Sequence, residues 1–147
     1  MMRYAFALAI LSVLTYGAQA QDAVPDLKGT WSGKGKSVVF GSNAYHSGKA
    51  AISGPPRVRD IEVIYVVEGQ DGRLVWGRVS TAAAKKSEPF AWAIASDNRT
   101  VIGADMDGYY RVTIDSADRI EKCYAHNAAQ PSRSIVAGCH MLDRVKR

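Results

Sequence analysis

His46, His126 and His140 are the only histidines of the chain, and Cys123 and Cys139 the only cysteines. Histidine and cysteine carry much of acid–base, metal and nucleophilic chemistry, so their spacing is informative first. No H-E-x-x-H, phosphate loop, G-x-S-x-G or dinucleotide fingerprint is present. No C-x-x-C occurs, and no histidine spacing completes a tetrahedral metal site. Asp105-Met106-Asp107-Gly108 looks like the start of a calcium loop but lacks the downstream acidic ligand, so it reads as a hairpin turn. Asn98-Arg99-Thr100 is a sequon by pattern and reads as a turn. Catalysis thus has no recognisable signature, no cofactor or metal is implied, and a binding role is the expectation.

The cysteine pair sits in strand-like text with a turn between its members. If that last hairpin is symmetric, Cys123 faces Cys139 directly, close enough for a disulfide. The same register sets Lys122 opposite His140 and Arg119 opposite Asp143. It also gives Ile120, Tyr124, Val136, Leu142 and Arg144 one common face. The apolar content of that face marks it as inward, which carries Lys122 and His140 inside, with His126 nearby. Charged groups in such a place are costly unless paired or solvated. A ligand carboxylate or phosphate would satisfy them. Tyr65, Trp76, Trp92 and Tyr110 complete an expected ligand-binding set of Tyr65, Trp76, Trp92, Tyr110, Lys122, Tyr124 and His140. Aromatic walls with a few polar groups are what a small-molecule pocket requires.

These residues must be positioned by strands. Ile61, Val63, Tyr65 and Val67 alternate with Glu62, Ile64, Val66 and Glu68, and Gln70-Asp71-Gly72 turns the chain into Leu74–Ser80. Phe90, Trp92 and Ile94 alternate with alanines. Val101–Met106, Tyr109–Ile114, Arg119–His126 and Ser134–Arg144 follow, separated by turn residues. A first strand opens at Gly29 and runs to Phe40, with Gly33 and Gly35 predicting a bulge or bend. Gly41 to Pro56 reads as a long loop, Thr81 to Glu88 as a connector or helical turn, and Asn127 to Arg133 as a loop. No stretch sustains a 3.6-residue period. The reading is an all-β fold: a single antiparallel up-and-down barrel of about eight strands, with a β-sandwich as the alternative.

The chain has 147 residues. Residues 1–20 read as a signal peptide: Arg3, the apolar run Tyr4–Leu14, and the small-x-small site Ala18-Gln19-Ala20. Residues 21–147 then form one domain, periplasmic or secreted, with no later segment apolar enough to cross a membrane. An oxidising compartment fits the cysteine pair. Net charge is +5, its basic residues scattered rather than run together, which argues against nucleic acid as a partner. The mild positive field suits an envelope protein or an anionic envelope surface.

Gly29-Thr30-Trp31 at the head of the first strand resembles the G-x-W opening of the calycins, the lipocalin and avidin superfamily. In that family a late arginine packs across the tryptophan at the closed end of the barrel. The resemblance assigns that structural pair to Trp31 and Arg144. It implies a barrel able to enclose a small molecule, but the biotin-contacting set of avidins has no residue-by-residue match here. The chain is also similar to small exported bacterial proteins of unassigned activity. Three functions follow as expectations: a barrel holding a small, partly apolar or anionic ligand; an envelope protein-interaction module such as a hydrolase inhibitor; or a structural envelope protein with no discrete site.

Overall fold

A computed structural model describes residues 23–42, 50–82, 87–126 and 133–146. The expected signal peptide and His46 lie outside the described residues. So do residues 43–49 of the Gly41–Pro56 connection, residues 83–86 of the Thr81–Glu88 connection, and residues 127–132 before Arg133.

Among the described residues eight strands follow one another: β1 (Gly29–Ser42), β2 (Arg57–Asp71), β3 (Leu74–Thr81), β4 (Glu88–Ile94), β5 (Thr100–Ala104), β6 (Tyr109–Ser116), β7 (Arg119–His126) and β8 (Arg133–Arg144). Each pairs antiparallel with the next, and β8 returns to β1, closing a barrel with no free edge. Closure satisfies the backbone of strands whose both faces carry apolar residues and leaves no template for aggregation. The sandwich alternative is excluded.

Period-2 alternation dictates what fills the barrel. Val63, Tyr65 and Val67 of β2 point in, as do Val75 and Val79 of β3, Phe90, Trp92 and Ile94 of β4, and Val101 of β5. Val112, Ile114, Ile120 and Leu142 complete one continuous core. Register shifts lie between Val67 and Gly69 and between Ile114 and Ser116. No bulge lies at Gly33 or Gly35 in the β1–β2 ladder, which keeps one register along its whole paired length, while the β1–β8 pairing is interrupted between Ser32 and Val38. Those glycines serve closeness instead. A Cβ on Gly35 would stand 2.2 Å from the His140 ring, and one on Gly33 would stand 2.0 Å from the Met141 carbonyl. Side-chain-free positions on β1 let β8 approach.

One end of the barrel is sealed. Leu27 of the lead-in is buried beneath Trp31. Its backbone N–H donates to the Gln70 side chain at 2.8 Å, and its carbonyl accepts from Trp31 Nε1 at 2.9 Å. Arg144 lies with its guanidinium carbon 4.2 Å from the Trp31 ring centre. It donates to the carbonyls of Asp26, Lys28 and Ala117 and pairs with Asp118 at 3.2 Å. A planar cation with five fixed donors is suited to stacking on indole while tying three chain segments together.

Candidate functional site

The opposite end is built differently. The register of β7 against β8 sets Cys123 opposite Cys139, Lys122 opposite His140 and Arg119 opposite Asp143. The sulfurs are bonded at 2.04 Å with the Cα atoms 4.0 Å apart. Because side chains alternate, a disulfide on the outer face forces Lys122 and His140 inward. Arg119 and Asp143 meet outside at 3.6 Å.

Lys122 is 2% exposed. Its ammonium nitrogen lies 5.8 Å from the Tyr65 ring centre and 5.6 Å from that of Tyr124. Among the described residues it has no hydrogen-bond or ion-pair partner; these two ring faces are its close contacts. Burial pulls its pKa down from the ordinary lysine value of 10.5 to about 8, and the Asp105 carboxylate opposes that fall only in part. His140 is also buried. Its Nε2 lies 3.3 Å from the Lys36 carbonyl and 3.4 Å from Ser37 Oγ, while its Nδ1 has no partner among the described residues. Burial, then the nearby Lys122 charge, holds its pKa below the usual histidine value. A carbonyl can only accept, so the Nε2–H tautomer suits this site and leaves Nδ1 as an acceptor.

Both residues line a cavity of about 50 Å³ in this half of the barrel. Tyr65, Tyr110 and Tyr124 give it aromatic walls, and Ile61, Val63, Val79 and Val136 give it aliphatic ones. At roughly 10–15 Å³ for each water, it holds a molecule of a few heavy atoms. Pockets for larger ligands occupy about 300–1,000 Å³.

A polar network borders the cavity. Asp105 accepts from the backbone N–H groups of Asp107 at 2.9 Å and Gly108 at 2.8 Å, closing the β5–β6 turn. The same carboxylate accepts from the Tyr110 hydroxyl and, at 3.3 Å, from that of Tyr124. Tyr124 also lies 3.0 Å from His126 Nδ1, whose Nε2 is 2.8 Å from Ser134 Oγ. Burial raises both tyrosine pKa values, so both phenols stay protonated. Burial lowers that of His126 against the pull of Asp107 and Asp105. With these donors, the Asp105 oxygens are satisfied by the protein. The Lys122 ammonium makes no hydrogen bond or ion pair among the described residues.

The structure gathers Tyr65, Tyr110, Lys122, Tyr124 and His140 around one space. Trp92 belongs to the core behind it, 5.3 Å from Tyr65 and 4.5 Å from Phe90 between ring centres, and does not line the cavity. Trp76 is a correction. It stands on the outer face, 47% exposed, over Gly69 on the neighbouring strand. The signal was its phase with Arg78: if arginine faces out, so does the residue two before it. Asp105 was missed as a site residue because a turn accounted for it fully. Ser37, Thr81 and Glu88 also line the cavity, and nothing in their local sequence marks them. Among the described residues no three His, Cys, Asp or Glu side chains cluster to hold a metal ion.

No family model matches the chain, and no curated protein matches it. Among solved structures it is similar to the S-type phycobiliprotein lyase CPES from Guillardia theta, at 12% identity over 82% of this chain and 89% of that one, with a TM-score of 0.37. At that distance the likeness is recorded, and nothing about function is drawn from it.

Proposed function

We propose that this chain is an exported binding barrel for a very small ligand that carries an anionic oxygen group and a short apolar remainder. One observation carries the reading: a buried ammonium, Lys122, lines a cavity and makes no hydrogen bond or ion pair among the described residues, the Asp105 carboxylate acting on it only at longer range. Such an arrangement is costly for folding, and the anionic oxygen of a ligand would supply the missing acceptor. The volume limits that ligand to a short-chain carboxylate or an anion of similar size. Ile61, Val63 and Tyr65 would meet its apolar end.

Titration with acetate and propionate at pH 6.5, followed by NMR, tests the reading. Saturable shifts at Lys122 and Tyr124 that vanish in Lys122→Met are expected. Shifts that persist unchanged in that variant would end it. Export is tested separately by N-terminal sequencing of the protein recovered from the cell envelope. Gln21 should be the first residue.

A second reading, a protein-interaction module, has one observation in its favour. Trp76, Ala91, Ala104 and Tyr109 form an outward row across β3–β6, bordered by Leu74, Ala93 and Ile102. Ile102 is 62% and Tyr109 75% exposed. Apolar surface of this extent is typical of interaction faces. Loss of an envelope partner in Trp76→Glu, with propionate binding intact, would favour it.

A further inference from the structure

A lysine in this position is also placed to act as an amine. The Lys122 nitrogen is enclosed, faces the cavity beside the Tyr65 and Tyr124 rings, and is tied up by no carboxylate among the described residues. Its charge is easily given up, since burial favours the neutral form. The other lysines described, such as Lys34 and Lys36, are exposed and ion-paired to Glu62 and Asp60.

We propose that the uncharged Lys122 amine captures small neutral aldehydes inside the barrel as reversible imines. This deepens the binding reading and rests on the same cavity. The nitrogen lone pair forms a C–N bond as the carbonyl π pair moves to oxygen. That oxygen takes up the two protons the nitrogen sheds and leaves as water, so no oxidant, reductant or further reactant is consumed. The Tyr124 hydroxyl, between Asp105 and His126 Nδ1, belongs to a ring beside the nitrogen and can relay a proton to the departing oxygen. The electrostatics select the substrate class. Once the amine is neutral, the Asp105 carboxylate at the cavity no longer faces a Lys122 charge. An oxo acid would bring a second negative charge into that field, whereas an uncharged aldehyde of a few heavy atoms would not. The apolar walls retain its chain, and exclusion of bulk water slows hydrolysis of the imine.

The test treats the intact protein with propionaldehyde and sodium cyanoborohydride at pH 8 and maps alkylated lysines by peptide mass spectrometry over time. Lys122 should be modified at least about tenfold faster than Lys34 or Lys36, and propionate should slow that modification alone. Lys122 labelling no faster than the surface lysines overturns the proposal. If propionate still gives saturable NMR shifts in that case, only the imine falls and the anion site stands. If both experiments fail, the cavity binds neither class.

Discussion

Lys122 sets function against stability at the scale of one side chain. A charged group whose pKa falls from 10.5 to about 8 on folding weakens the fold, when charged, by roughly 3 kcal/mol. Lys122→Met keeps the length and removes the charge. Chemical denaturation at pH 7 should show it more stable than the parent by a substantial part of that amount, while acetate binding is lost. A destabilised Lys122→Met would mean that the ammonium already has a partner. The pH dependence follows from the same values. Between about pH 8 and 10 the unfolded lysine holds its proton and the folded one releases it, so stability rises with pH. Above pH 10 the rise reverses, because the buried Tyr110 and Tyr124 phenols resist the ionisation available to them when unfolded. On the acid side, His126 and His140 have folded pKa values below 6.5. The stability due to their neutral forms is present above pH 6.5 and is lost as pH falls below it. Denaturation midpoints measured from pH 5 to 10.5 should trace this profile, with the alkaline rise missing in Lys122→Met.

At the scale of elements, the last hairpin was the most legible part of the sequence. Its two strands are adjacent in the chain, and one cysteine pair fixes which residues face each other, so the inward placement of Lys122 and His140 follows by alternation. Replacing both cysteines with serine should cost roughly 3 kcal/mol on the chain-entropy model and leave the far-ultraviolet circular dichroism that of a sheet protein. β3 was less legible. Leu74 and Trp76 on one face and Val75 and Val79 on the other are both apolar, so hydrophobicity does not choose between them, and the shift at Gly69 breaks any simple extrapolation from β2. Trp76→Ala should therefore leave propionate affinity within about twofold of the parent, since Trp76 stands outside the cavity. The contact between β1 and β8 was illegible for another reason. Ser37 meets His140 across 103 positions of sequence, and no local pattern announces a pair so distant.

For the whole molecule, the barrel divides into a sealed half that holds it together and a polar half that holds the site. The sealed half was readable, because Gly29-Thr30-Trp31 and Arg144 are recognisable one at a time and their stacking follows from barrel closure. The polar half was readable only in part, because cavity volume is a sum over all eight strands. The two halves should respond independently. Arg144→Ala removes the stack on Trp31 and the donors to three carbonyls, and should lower stability by about 2 kcal/mol in urea denaturation. The affinity for propionate, set at the other end, should not change.

The most direct measurement is an NMR titration of the Lys122 side chain, read at its labelled ε-carbon, with and without propionate. The structure places the free-protein midpoint near 8, and a bound carboxylate should move it upward by stabilising the ammonium. A midpoint at the ordinary lysine value, indifferent to propionate, would contradict a buried, ligand-seeking cation in this barrel.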